Sequence, residues 1–162
     1  MADKNIQKEN EVCEALLLDN QLCFPLYVCA KEIVNRYTPY LEKIDLTYTQ
    51  YITMMVMWEE KEVVTKHLRE RLYLDSGTLT PVLRRLEEKG LIEKKRSTKD
   101  ARDLIVTITE KGEALKKEAV HVPEHMAMCL GNLIKDKTEA FRLKVLLDDL
   151  MGMFKQSKES EV

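Results

Sequence analysis

The side chains with the most reactive chemistry are four thiols, Cys13, Cys23, Cys29 and Cys129. No two of them form a CxxC pair, which sets aside a zinc ribbon and a thioredoxin-type exchange site. The thiolate, not the thiol, attacks a peroxide, so a sensing cysteine needs hydroxyl donors or a helix N-terminus that favour the anion. Cys23 has apolar neighbours in Leu22, Phe24 and Leu26, and taken alone it reads as a packing thiol. Cys29, six residues further along, points away from Cys23 on a helix and reads as core. Cys13 belongs to a polar tail. His121, His125 and Cys129 follow an i, i+4, i+8 spacing that imitates a metal motif. Eight residues of helix rise about 12 Å, and ligands at about 2.0–2.3 Å cannot converge on one ion from both ends. No metal and no cofactor is expected, and His67 reads as a polar face residue or a phosphate contact.

A second set of residues suits a polyanion. Ser76, Thr78 and Thr80 crowd the first turns of a helical segment, where hydroxyls and free backbone amides can meet phosphates or base edges. Arg84 and Arg85 follow on the same segment, one of them placed to reach a guanine or a phosphate. Five of the nine residues from Lys94 to Arg102 are Lys or Arg, among them Arg96 and Lys99. Asp100 stands two residues before Arg102 and can orient it towards a minor groove.

These residues need elements to hold them. From Leu22 the apolar positions Leu26, Ala30, Ile33/Val34, Tyr37, Leu41 and Ile44 step by three or four, an amphipathic helix whose start near Cys23 accommodates Pro25 in its first turn. Thr47 and Gln50 form a capping box that opens a second helix through Met54, Met55 and Trp58. Val63–Tyr73 reads as a short helix, and Leu74-Asp75 begins a turn. Ser76–Lys89 is the next helix, with Leu79, Val82, Leu83 and Leu86 on one face and Gly90 at its C-cap. Leu91–Lys95 and the β-branched run Leu104–Thr109 read as two strands around a charged turn. Helix, turn, helix and basic-tipped hairpin together predict a mainly α, winged helix-turn-helix fold over about residues 63–111. Helical periodicity resumes at Glu110, is interrupted near Pro123 and Gly131, and ends in Leu133–Phe154. The central unit is too small to cover the terminal helices, about residues 22–45 and 112–156, so these are expected to form a dimerisation region with two-fold symmetry.

The 162 residues suit one domain after a polar tail over residues 1–14, with 44 % apolar and 33 % charged residues. The net charge of −2 conceals an uneven distribution. Residues 65–111 hold 12 Lys/Arg against 8 Asp/Glu, whereas the remainder holds 14 against 20. A basic centre in an acidic frame fits a protein that touches nucleic acid with one part only. No apolar run approaches the roughly 18 residues needed to cross a bilayer, and the polar start lacks a signal-peptide core. A cytoplasmic protein is therefore expected, with no membrane partner.

The stretch ERLYLDSGTLTPVLRRLEEKGLI, from Glu70 to Ile92, with Asp100-Ala101-Arg102 after it, resembles the MarR family of bacterial transcriptional regulators. LDNQLCF, from Leu18 to Phe24, is similar to the segment bearing the reactive cysteine of that family's organic-hydroperoxide-sensing repressors. The resemblance spans about Leu18 to Phe154. It implies a homodimer on double-stranded, palindromic operator DNA, with Asp75, Ser76, Thr78, Thr80 and Arg85 on the recognition helix and Arg102, held by Asp100, in the minor groove. It places Cys23 at the redox-sensing position and Tyr37 and Tyr48 at those of two tyrosines that hydrogen-bond the sulfur across the dimer interface. In the two-cysteine branch a resolving cysteine follows a VPE-like segment. Counted from Val122-Pro123-Glu124 its place is Met128, and the neighbouring Cys129 is the candidate resolving thiol. The function so implied is a redox-sensing repressor that releases its operator when organic hydroperoxide oxidises Cys23. Two alternatives are a regulator switched by a small phenolic or other ligand and a thiol peroxidase. The second lacks a basic partner near Cys23 and a CxxC for turnover.

Overall fold

The computed structural model describes residues 14–96, 104–133 and 136–160, in two compact units, one up to Ala119 and one from Val120 onward. After a 3-10 turn over Leu18–Asn20, the first unit continues as α1 (Cys23–Leu41), α2 (Tyr48–Glu60), β1 (Glu62–Val64), α3 (Thr65–Leu72), α4 (Ser76–Glu88), β2 (Ile92–Arg96), β3 (Leu104–Ile108) and α5 (Glu110–Ala119). The second contains α6 (His121–Leu133) and α7 (Lys137–Ser160). This is the expected mainly α, winged helix-turn-helix architecture.

Local chemistry sets most boundaries. α1 begins at Cys23 with Pro25 in its first turn, where proline's missing N–H is no loss. The capping box at the start of α2 forms as expected, Gln50 N–H donating to Thr47 Oγ1 (3.4 Å) and Thr47 N–H to Gln50 Oε1 (3.2 Å). α4 ends in a Schellman motif: Gly90 takes φ 71°, its N–H bonds Glu87 O at 2.8 Å, and Leu91 N–H bonds Leu86 O at 3.0 Å. Pro123, read as an interruption, instead lies in the first turn of α6. The break falls at Val120, one residue before that helix.

The sheet differs from the expected two-stranded hairpin. β3 is central in the order β1-β3-β2, both pairings antiparallel, with Val63 opposite Val106 and Lys94 also opposite Val106. Glu62–Val64 is the third strand, and the helix expected from Val63 begins at Thr65. Lys61, with φ 66°, turns the chain out of α2, and the β-branched pair that follows finds its partner in β3.

The core of the first unit gathers Leu41, Met54, Met57, Leu68, Leu79, Leu86, Ile92 and Val106, all almost fully buried. The start of α5 is keyed into it at Gly112. A Cβ built there would lie 2.1 Å from Leu91 O, and the Gly112 carbonyl accepts the Trp58 indole N–H at 2.7 Å. Leu91 leads into β2, so the central helix α2, α5 and the base of the wing meet at one glycine. The N-terminal half of α1 and the turn before it are different. Leu16, Leu17, Leu18, Leu22, Phe24, Leu26, Tyr27 and Val28 are all exposed, Leu16 at 79 % and Leu22 at 75 %. In the second unit, α7 likewise exposes Phe141, Val145, Leu146 and Leu150. No helix among the described residues is long and apolar enough to cross a membrane.

Candidate nucleic-acid interface and sensor thiol

α3 and α4 are joined through Tyr73, which adopts a left-handed φ of 54°. Asp75 caps α4, its carboxylate accepting from Thr78 N–H (2.8 Å) and from Thr78 Oγ1 (3.0 Å). Those hydrogen bonds hold its carboxyl below the usual carboxylate range. Ser76 Oγ accepts from Arg69 Nη1 on α3 (2.9 Å), and Thr80 Oγ1 donates to the Ser76 carbonyl (2.7 Å). Leu79, Leu83 and Leu86 face the core, whereas Ser76, Thr78, Thr80, Arg84 and Arg85 are all exposed. The helix thus offers polar and cationic groups on the side away from its core.

Arg84 and Arg85 converge on Glu88, at 3.7 and 3.1 Å. These are solvent-exposed pairs of small energy, which a phosphate can displace. Lys94 on β2 is half-buried and pairs with Glu87 at 2.8 Å, while Arg96 ends the strand exposed. A hollow of about 210 Å³ lies between α3, α4 and the wing strands, lined in part by Arg69, Ser76, Thr80 and Lys94. Lys99, Asp100 and Arg102 lie outside the described residues. Arg71 on α3 pairs with Glu59 and Glu60 at the end of α2, and His67 joins Glu60 at 3.0 Å. This network ties α3 to the end of α2.

At the other end of the first unit, Cys23 opens α1 with an exposed thiol. Tyr37, fourteen residues further along the same helix, is about 21 Å away by helical rise. Tyr37 packs edge-on against Tyr48, ring centroids 5.0 Å apart. Within one copy the tyrosines therefore meet each other and not the thiol. The cluster also has a third member, Tyr51, which the expected site does not include. Tyr51, 3 % exposed, lies 6.0 Å from Tyr37 and 6.3 Å from Trp58. Burial, with Tyr37 and Tyr48 alongside, pushes its hydroxyl up to about 12, and burial followed by Tyr48 raises that of Tyr37. Its i, i+3 spacing from Tyr48 on one helix was the available signal.

Two other thiols have defined places. Cys29 is exposed rather than core, because it lies on the uncovered N-terminal half of α1. Cys129 is partly exposed on α6. His121 pairs with Glu124 at 3.1 Å, and the described residues contain no group of three His, Cys, Asp or Glu able to hold a metal ion.

Residues 35–119, which run from α1 through the wing to α5, match the family described as transcriptional regulator SarA/Rot. The chain belongs to that family. It is a DNA-binding transcriptional regulator, not an enzyme, similar to the regulators of organic hydroperoxide resistance. It is 47 % identical over 106 residues to the organic hydroperoxide resistance transcriptional regulator of Bacillus subtilis, covering 65 % of this chain and 72 % of that one. Two structures of AbfR, a protein of Staphylococcus epidermidis, share its fold. Reduced AbfR bound to DNA matches at a TM-score of 0.72 and 29 % identity, over 87 % of this chain and 96 % of that one. Disulfide-formed AbfR matches at 0.57 and 31 %, over 93 % and 99 %.

Proposed function

We propose that the regulator works in the cytoplasm as a homodimer on a palindromic operator, represses a detoxification gene, and releases DNA when organic hydroperoxide oxidises Cys23. The observation that carries this reading is the separation of thiol and tyrosines on α1. Cys23 lies at one end, and Tyr37 with Tyr48 packed on it at the other. Antiparallel pairing of α1 with that of a second copy brings each thiol to its partner's tyrosines. It also covers the exposed apolar run from Leu16 to Val28, which a solitary protomer would leave in water. The names of the relatives, an organic hydroperoxide resistance regulator and a protein solved both reduced on DNA and as a disulfide, support the same reading.

The thiolate of Cys23 is the form that attacks peroxide. Its sulfur attacks one peroxide oxygen and the O–O bond breaks. Cys23 becomes a sulfenic acid, and the other oxygen leaves as the alcohol after taking up a proton. A second thiol then condenses with the sulfenic acid, forming a disulfide and water. That thiol is Cys129 of the other copy or a small cellular thiol. On DNA, the exposed face of α4 enters the major groove with Ser76, Thr78, Thr80, Arg84 and Arg85, while Asp75 holds its first turn. Lys94, Arg96 and Lys99 follow the backbone, and Arg102, oriented by Asp100, enters the minor groove.

Turning a mostly bound population into a mostly free one takes about 5 kcal/mol, more than one lost hydrogen bond supplies. Oxidation must therefore displace α1 as well as break the tyrosine contacts. The test is operator affinity before and after one equivalent of cumene hydroperoxide. Wild type should release DNA, and Cys23→Ser should bind but not release. Release by Cys23→Ser as readily as by wild type refutes the reading. Cys129→Ser identifies the resolving thiol: over-oxidation of Cys23, with release that thiols no longer reverse, assigns that role to Cys129.

A further inference from the structure

We propose that α4 carries a fixed hydrogen-bond polarity, in which Thr78 and Thr80 face DNA only as acceptors, for the exocyclic amino groups of adenine or cytosine, while Ser76 keeps a proton to donate. The proposal rests on the reading of α4 as the groove-entering helix, and deepens it. A hydroxyl has one proton and two lone pairs, and it ordinarily rotates to suit whatever it meets. Here the local partners remove that freedom.

Thr78 Oγ1 lies 3.0 Å from the Asp75 carboxylate, and Thr80 Oγ1 lies 2.7 Å from the Ser76 carbonyl. Neither partner can donate, so each threonine has committed its only proton and has only lone pairs left. Ser76 Oγ lies 2.9 Å from Arg69 Nη1. A guanidinium cannot accept, so Ser76 supplies the lone pair and keeps its own proton available. Asp75 remains ionised because two hydrogen bonds from Thr78 favour its charged form, which secures the arrangement at neutral pH.

The consequence separates the three residues. Phosphate oxygens only accept, so Thr78 and Thr80 have nothing to offer the DNA backbone. In the major groove the donors are adenine N6 and cytosine N4, and these are the groups that the two threonines can engage. Ser76 can donate to a phosphate or to a base acceptor such as guanine O6.

The test uses the full-length protein and duplexes selected from a random pool. Wild type, Thr78→Val and Thr80→Val each select sites, and the positions at which a variant loses its base preference mark what that threonine reads. Every base pair carries an amino group in the major groove, so single-group analogues decide the polarity. Purine for adenine, or pyrimidin-2-one for cytosine, removes the amino group. A 7-deaza purine removes an acceptor. For each threonine, amino deletion should weaken wild-type binding about three- to tenfold and cost the valine variant nothing more. Serine in place of threonine should restore the wild-type response. If the 7-deaza substitution shows that coupling instead, the polarity is overturned while the contact stands. If neither valine variant loses a base preference, both the proposal and the placement of these hydroxyls against bases are refuted. The analogue measurement on wild type needs no variant to fold.

Discussion

Gly112→Ala is the most informative single methyl in this fold. The new Cβ would lie 2.1 Å from Leu91 O and 2.9 Å from Ile108 Cγ1. The first contact is to backbone. Leu91 cannot yield freely, because its N–H bonds Leu86 O (3.0 Å) and its carbonyl accepts from Thr109 N–H (3.1 Å). α5 must move instead, weakening the Gly112 N–H bond to Thr109 Oγ1 (3.0 Å) and the Trp58 bond to the Gly112 carbonyl (2.7 Å). Overpacking costs about 1–3 kcal/mol, and each of the two weakened hydrogen bonds about 1 kcal/mol. Alanine's better helix propensity returns about 1 kcal/mol. The net loss is about 2–4 kcal/mol, or about 5–15 °C in Tm for a chain of this size. Thermal unfolding followed by Trp58, the chain's single tryptophan, at fixed protein concentration measures it directly. Operator affinity should fall as well, because Leu91 leads into the wing. A Tm within 2 °C of wild type would show that α5 slides without cost and would refute the keyed junction.

Other expectations concern titration and DNA contact. The Tyr51 hydroxyl is pushed up to about 12, so the folded state retains a proton that the unfolded state loses near pH 10. Its contribution to stability is complete below pH 10 and disappears as pH rises towards 12; denaturant midpoints across that range should show the decline, and Tyr51→Phe should flatten it. Arg102→Ala should weaken operator binding and make the slope of log K against log salt shallower by about one unit, if it neutralises one phosphate's worth of charge. Arg85→Ala should cost about 1–3 kcal/mol and relax preference at one base pair if that side chain reads a base, which site selection would reveal.

How far the sequence could be read followed the range of the interactions. α4 was legible because its limits are local: Asp75 at the start, a left-handed glycine at the end, and three leucines between. The capping box of α2 was legible for the same reason. β1 was not, because three residues acquire their strand character only from Thr107, Val106 and Ile105, more than forty positions away. Cys29 reads as core from its turn away from Cys23 around the helix, and helix geometry alone does not say whether a face is covered. The site was legible as residue types, with Tyr51 missed because its role comes from packing on Tyr37 and Trp58. The committed protons of Thr78 and Thr80 depend on side-chain geometry that no spacing encodes.

In the proposed dimer each sensor site takes a thiol from one copy and tyrosines from the other. Mixed dimers test it most directly. One protomer carries Cys23→Ser with its tyrosines intact, and the other keeps Cys23 but carries Tyr37→Phe and Tyr48→Phe. In such a dimer the single Cys23 faces the intact tyrosines of its partner. This thiol should react with cumene hydroperoxide at the wild-type rate, while the homodimer of the double phenylalanine variant reacts more slowly. A mixed dimer no faster than that homodimer would contradict it.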